Sequence, residues 1–101
     1  MKIIILDNSE LSYSGDDING KTLRGTEASL ILLSEQFIKM GIHVDYCNCI
    51  NSKKKVNGVT YFNKKKIDKK VIYDLAIAIS DANLFYLVSS IKKAVFSNSN
   101  Q

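Results

Sequence analysis

Hydrophobic residues gather in short runs that are separated by polar segments along the whole chain. The run KIIIL at 2–6 is rich in β-branched residues, which is typical of a strand buried on both faces of a sheet. Four further apolar runs predict strands at 42–50, 59–62, 75–79 and 93–96. The pattern therefore predicts a sheet of five strands.

Between the first two runs, the apolar positions change to a helical spacing. We predict a helix after a loop from Asp7 to Gly25, with Thr26 as its N-terminal cap and Glu27 in its first turn. Gly41 is predicted to end the helix in the left-handed conformation. The apolar stripe of the helix consists of Leu30, Leu33, Phe37 and Met40.

The alternation of apolar strands with helical segments predicts an α/β fold. The expected form is a Rossmann-like three-layer sandwich, with helices on both faces of a mostly parallel five-stranded sheet. Right-handed crossovers favour the strand order 3-2-1-4-5. Residues 81–91 predict a helix or a turn-rich crossover. Residues 51–58 show no helical pattern, so the second and third strands could instead pair as a hairpin around Asn57 and Gly58.

Polar residues follow three of the predicted strands and begin the helix. In an open parallel sheet, ligands bind outside the carboxyl ends of the strands, and the amides at a helix start suit an anion. We therefore expect a substrate-binding rim, although Ser, Asn and Asp are also common turn residues and account for part of the pattern. The predicted rim residues are Asp7, Asn8, Gly25, Thr26, Ser80, Asp81, Ser97 and Asn98.

Residue types that usually bind metal or act in catalysis are sparse. His43, Asp45, Cys47 and Cys49 alternate along one strand and therefore project from the same face. The outermost two, His43 and Cys49, lie on the order of 20 Å apart, which is too far to share one ion. Cys47 and Cys49 are expected to be reduced and structural, and no metal site is predicted. The single histidine, His43, is interpreted as a strand-edge residue, so no Ser-His-Asp or Cys-His arrangement can be built. The chain has neither GxGxxG nor a P-loop pattern.

The net charge of +4 comes mostly from lysine clusters in predicted loops, which are typical of solvated surface. The functional alternative is attraction to anionic lipid headgroups. Nucleic acid is not an expected partner, because only Tyr61 and Phe62 place aromatic rings between two clusters. No apolar run has the length of a membrane span or a signal-peptide core. We expect a cytoplasmic protein, peripheral to the inner face of the membrane if the lysines bind lipid.

The order of these segments resembles a known family. The chain has an opening apolar strand, a loop ending in RGTE, the helix ASLILLSEQFIKMG and the strand start IHVDY. This is similar to the N-terminal domain of glycosyltransferases of the GT-B fold, family 4 type. Those enzymes begin the first helix with a Gly-Gly-x-Glu-like motif. The segment YDLAIAISDANLFYLVSSIKKAVFSNSNQ is similar to a later part of the same domain, so the resemblance covers nearly the whole chain.

The resemblance implies an acceptor-side domain with the loop before the first helix near the donor diphosphate. Gly25 matches the second glycine of the family motif, and Glu27 matches its glutamate. Arg24 replaces the first glycine, but its side chain could bind the phosphates. The polar turn at Ser97 and Asn98 stands where relatives often carry a histidine. On this basis residues 1–101 are a partial N-terminal domain, inactive alone and without a cofactor, that acts with a nucleotide-sugar donor and a sugar or lipid-linked acceptor.

Two other function classes fit the same sequence. The rim could belong to a non-catalytic module that binds a nucleotide or another small anion. Alternatively, the lysine-rich surface could make this an interaction protein for membranes or an acidic partner. If strands are missing from one side of the sheet, its exposed apolar edge is expected to promote self-association.

Overall fold

The computed structural model describes residues 1–20 and 23–96, which form one sheet of six strands with α-helix α1, Gly25–Lys39, on one face. The strands are β1 Lys2–Asp7, β2 His43–Asn48, β3 Lys54–Val56, β4 Val59–Asn63, β5 Ile72–Ile79 and β6 Ser89–Phe96, and short 3-10 helices lie at Gly15–Asp17, Lys64–Lys66 and Ala82–Leu87.

The strand order is β3-β4-β2-β1-β5-β6, and all neighbouring strands run parallel except β3 and β4. The prediction of a mostly parallel sheet is therefore confirmed, and so is the order of the five predicted strands. The predicted number of strands is wrong, because Lys54–Val56 adds a sixth at one edge. An edge strand need not bury its side chains, so this lysine-rich segment shows no apolar pattern in the sequence.

A two-residue turn at Asn57 and Gly58 joins β3 to β4. Both residues have positive φ, 51° and 87°, as a type I′ hairpin turn requires. The predicted hairpin therefore exists, but it does not pair the second and third predicted strands. Those strands, β2 and β4, are parallel neighbours. The hairpin is instead completed by the lysine-rich β3.

Helix α1 begins earlier than predicted. Arg24, not Thr26, occupies the capping position, and the Glu27 carboxylate accepts the Arg24 backbone N–H at 2.9 Å. A glutamate three residues into a helix can satisfy the capping amide in this way, which fixes the start at Gly25. The predicted end is confirmed, because Lys39 is the last helical residue, Met40 is the C-terminal cap, and Gly41 follows with φ 83°.

The face of the sheet that carries α1 holds the larger core. Alternate residues of β1, such as Ile3 and Ile5, point toward this face and pack with Leu30 and Ile31 of the helix. Tyr46 of β2 is fully buried in the same core. The apolar stripe of α1 therefore faces the sheet only in part, and Met40 lies outside it with 70% exposure.

The opposite face has a smaller core and a different cover. Ile4 and Leu6 pack there with Ala76 and with Leu84, which belongs to the 3-10 helix Ala82–Leu87. The predicted crossover is therefore turn-rich. Within residues 1–20 and 23–96 this face carries no α-helix, so the expected helices on both faces are not found there.

Strand β6 is an open edge of the sheet. Its residues from Ile91 to Phe96 are all exposed, including Val95. This agrees with the expected apolar edge, and self-association through it stays a prediction. Among the helices of the described chain, none is both long and apolar enough to traverse a bilayer.

Candidate functional site at the carboxyl edge of the sheet

The ends of β1 and β5 meet the start of α1 around a small polar cavity, which we call the rim cavity. Its volume is about 210 Å³. Three segments that are far apart in the sequence supply its walls, as the strand-end argument predicts for a parallel sheet. Predicted rim residues in its lining are Asp7, Asn8, Ser80 and Asp81. Arg24, to which the family resemblance gave a role in phosphate binding, also lines it, and Ser9 and Ile79 complete it.

The other predicted site residues lie elsewhere. Thr26 and Glu27 are buried inside the first turn of α1, with exposures of 9% and 0%, and Gly25 begins that turn. Ser97 and Asn98 fall outside the described residues. Strand β6 nevertheless ends beside the cavity, because the Ser80 backbone N–H donates to the Phe96 carbonyl at 2.9 Å.

Arg24 reaches the rim cavity while paired with Glu27. Its Nε lies 2.8 Å from Oε2 and 3.1 Å from Oε1 of that carboxylate. This hydrogen bond, together with charge attraction, raises the pKa of Arg24. The Arg24 side chain is 64% exposed and the Glu27 side chain is fully buried. Glu27 is therefore committed to the helix start, whereas the guanidinium has further N–H donors for a ligand.

Ser80 occupies a strained position at the cavity wall. Its φ of 59° is in the left-handed region, which is uncommon for a residue other than glycine. The neighbouring Asp81 accepts from the Asn83 backbone N–H at 3.0 Å and from Asn8 Nδ2 at 3.3 Å. The ends of β1 and β5 are thus tied together across the cavity. Strain of this kind is often found at functional sites.

Asp7 forms the buried base of the cavity, with only 2% of its surface exposed. Its Oδ1 accepts the Ser9 backbone N–H at 2.9 Å, and its Oδ2 accepts the Tyr13 hydroxyl at 2.6 Å. The Ser9 hydroxyl adds a longer contact of 3.2 Å to Oδ2. Three donors therefore stabilise a carboxylate that burial alone would disfavour.

A row of buried tyrosines continues from Asp7 into the core. The hydroxyls of Tyr13 and Tyr46 are 2.7 Å apart, and the Tyr46 ring lies 5.2 Å from that of Tyr61. Burial raises the pKa of Tyr13 well above its ordinary value, and the nearby Tyr46 and Asp7 raise it further. Burial also raises the pKa of Tyr46. The core beneath the rim cavity is thus held by hydrogen bonds as well as by apolar contacts.

Sequence reasoning missed this network. Tyr46 gave a signal, because it lies on the opposite side of its strand from the polar Asp45. Tyr13 lies in a polar loop without periodicity, and its only signal was a large aromatic ring between serines. Nothing in the sequence indicates that the two hydroxyls meet.

We expect Tyr13→Phe to lower the free energy of unfolding by about 1–3 kcal/mol, because the buried Asp7 carboxylate loses a donor and the Tyr46 hydroxyl loses its neighbour. Urea unfolding monitored by circular dichroism would measure the change. Tyr86→Phe, at a position with 70% exposure, is the matched control. The double variant Tyr13→Phe/Tyr46→Phe should cost less than the sum of the single variants. Strict additivity would show that the two hydroxyls do not interact.

A second depression of about 330 Å³ adjoins the rim cavity and shares Asn8 and Asp81 with it. Lys64 and Lys65 line this depression. The Lys64 ammonium lies 3.1 Å from the sulfur of Cys49, which anchors its side chain. Cations thus stand beside the rim cavity, at positions that the sequence analysis assigned to solvated surface or to contact with anionic lipid, and not to this site.

The rim cavity and the adjoining depression differ in the charges of their lining residues. The rim cavity itself contains two carboxylates, Asp7 and Asp81, and one guanidinium, Arg24. It is therefore suited to hydroxyl and amide groups more than to a phosphate alone. The adjoining depression, with Lys64 and Lys65, is the better position for a negative group.

The cysteines do not extend the site. Both are free, and burial raises the pKa of the Cys47 thiol. The Cys49 thiol donates to the Ser9 carbonyl at 3.1 Å. In residues 1–20 and 23–96, no three side chains of the metal-binding types converge.

No protein-family model matches the chain, and neither curated proteins nor solved structures include a significant match. What the described residues define is a class: an α/β protein with a mostly parallel sheet and a polar cavity at its carboxyl edge.

Proposed function

We propose that this chain is the N-terminal region of a GT-B glycosyltransferase with a Rossmann-like three-layer sandwich, which transfers a sugar from a nucleotide-sugar donor to an acceptor. The observation that carries the proposal is the rim cavity, where Asp7, Arg24 and Asp81 meet from three segments of the chain. A ligand at this edge of a parallel sheet fits the general rule for such folds.

The polar groups suggest a division of roles. Asn8, Ser80 and Asp81 offer amide, hydroxyl and carboxylate groups to sugar hydroxyls. Arg24, Lys64 and Lys65 would face the donor diphosphate. Catalysis in this reaction requires stabilisation of negative charge on the departing diphosphate, which fixed cations and helix amides provide.

The proposal assigns the remaining donor contacts to a second domain, whose closure would complete the site. The chain alone is then expected to bind weakly and to be inactive. A sugar or lipid-linked acceptor would bind on the same edge, and the lysine clusters would contact an anionic membrane surface. Self-association through β6 would follow from its open edge.

A non-catalytic binding module is the second candidate, and one observation favours it. Both cavity carboxylates already accept hydrogen bonds, Asp7 from three donors and Asp81 from two. Neither is therefore arranged as an unoccupied base, and the described histidine, His43, lines a different cavity. Such a module would bind the same nucleotide or small anion without turnover.

Titration of ¹⁵N-labelled protein with UDP-glucose tests both candidates. Amide shifts are expected at Asn8, Gly25, Ser80 and Asp81. Lys65→Met should weaken binding by about tenfold, since it removes a charged donor. Lys92→Met, on the exposed edge strand β6, should leave binding unchanged.

The lysine-rich interaction protein predicts a different result, with no shifts at the cavity and binding to anionic vesicles. That result would overturn the proposed function. If the shifts occur, an assay of glucose transfer would distinguish the enzyme from the binding module. The protein in that assay is the polypeptide that the complete gene encodes.

A further inference from the structure

A further cavity of the described chain lies away from the rim. It is a groove of about 580 Å³ over β2 and β4, on the face of the sheet opposite α1, and we call it the second-face groove. Its volume is in the range of small-molecule sites, roughly 300–1,000 Å³. Its floor includes Thr60 and Phe62, and its far wall includes Val71 and Tyr73.

A fixed polar network lies at one end of the groove. The two oxygens of Asp45 are occupied separately: Oδ1 lies 2.9 Å from His43 Nε2, and Oδ2 accepts the Tyr73 hydroxyl at 2.6 Å. The Asp45 side chain is 13% exposed and that of His43 is 50% exposed. Burial and the Asp45 hydrogen bond raise the pKa of Tyr73, which keeps it a donor.

This network prepares His43 for a ligand. With Nε2 donating to the Asp45 carboxylate, the tautomer that this contact selects has its second nitrogen, Nδ1, as an acceptor. A half-exposed ring with one orientation and one remaining nitrogen can accept a hydrogen bond from a hydroxyl or an N–H. A solvated surface histidine would need neither the partly buried Asp45 nor the support of Tyr73.

Apolar and cationic groups complete the groove. Phe62 and Val71 provide an apolar surface between the strands, and Lys53 and Lys66 bring positive charge to a lining that also contains the Asp68 carboxylate. The side chains of Asp45 and Phe62 lie on the same face of adjacent parallel strands. An apolar pocket with a few convergent polar groups is the usual composition of a small-molecule site.

The second-face groove is distinct from the rim cavity. The two share no lining residue. The lysines of the short 3-10 helix Lys64–Lys66 divide between the groove and the depression beside the rim cavity. Lys64 and Lys65 line the depression beside the rim cavity, whereas Lys66 lines the groove.

We propose that the second-face groove binds a planar aromatic compound that carries one anionic group and one hydrogen-bond donor. The ring would pack on Phe62, the anionic group would pair with Lys53 and Lys66, and the donor would bond to His43 Nδ1. This site uses none of the residues that the proposed transferase function assigns to the rim cavity and the depression beside it. It needs no second domain, because its polar network is already complete.

The test uses 4-hydroxybenzoate as the probe, with ¹⁵N-labelled full chain. Shifts are expected at His43, Asp45 and Phe62 and not at Ser80. Three related compounds each lack one feature: benzoate has no donor, phenol has no anionic group, and cyclohexanecarboxylate has no planar ring. Each is expected to bind several-fold more weakly than 4-hydroxybenzoate.

Variants test the same contacts from the protein side. Lys66→Met and His43→Ala should each weaken binding of 4-hydroxybenzoate by about five- to tenfold, and Lys92→Met should leave it unchanged. Both altered side chains are exposed or half-exposed, and an unchanged circular dichroism spectrum would confirm folding. Absence of shifts at the groove, equal binding of all four compounds, or full affinity in both variants would overturn the proposal.

Discussion

Raising the pH above about 10 is expected to unfold the protein cooperatively. Burial raises the pKa of four tyrosines above the ordinary value of 10.0. The unfolded chain therefore releases these phenolic protons at a pH where the folded chain keeps them. The stability that depends on them is fully present below pH 10 and is lost as the pH rises. The four residues are Tyr13, Tyr46, Tyr61 and Tyr73.

The size of the effect follows from proton linkage. Each such group lowers the free energy of unfolding by about 1.4 kcal/mol per pH unit above its unfolded pKa. Four groups together approach about 5.6 kcal/mol per pH unit, and the total stability of a typical domain is roughly 5–15 kcal/mol. Unfolding is therefore expected within a few pH units above 10. The raised pKa of the Cys47 thiol acts in the same direction.

Urea unfolding at a series of pH values from about 8 to 12 would measure this slope. The tyrosinate absorbance of the four buried tyrosines should appear together with the loss of circular dichroism, in one transition, whereas the exposed Tyr86 is not part of that transition. Tyr13→Phe is the informative variant, because it removes one linked proton and should make the slope shallower by about one quarter. A free energy of unfolding that stays constant up to pH 11 would contradict the prediction.

Gly58→Ala is expected to lower the free energy of unfolding by about 2–4 kcal/mol, from the combined backbone and packing costs. Gly58 has a φ of 87°, which a residue with a side chain rarely adopts. A Cβ atom there would also lie 2.6 Å from Cγ2 of Ile38. Ile38 is β-branched and belongs to α1, so its χ1 cannot easily rotate away.

Gly41→Ala is the matched control for this variant. Its φ of 83° is nearly the same, but a Cβ atom would have no neighbour within 4 Å. Gly41→Ala should therefore carry only the backbone cost, about 1–2 kcal/mol. The difference between the two variants measures the contact between the β3–β4 turn and α1. Equal losses of unfolding free energy in both variants would show that the Ile38 side chain moves away from the added Cβ atom without a free-energy cost.

The residues at the ends of β1 and β5 are the part of the site that the sequence predicted. Asp7, Asn8, Ser80 and Asp81 were predicted to share one edge, and they line one cavity. That prediction needed only apolar runs and the general geometry of parallel sheets. Glu27 was assigned to the same rim through a family motif, and the structure buries it at the helix start.

Other parts of the site depend on contacts between distant segments. Lys64 and Lys65 come beside Asn8 only because β4 lies two strands from β1 in the sheet. The second-face groove arises because no α-helix of the described chain covers that side of β2 and β4. Neither feature has a local pattern that a reader of the sequence could use.

The sequence by itself determined the α/β class, the apolar strands, the end of α1 at Gly41 and the turn at Asn57 and Gly58. These features depend on periodicity and on local backbone preferences, which act over a few residues. The tertiary structure alone decided that the Tyr13 hydroxyl meets that of Tyr46 and that Tyr73 fixes Asp45. Such contacts join residues far apart in the chain, and they form only because the assembled sheet brings those residues together.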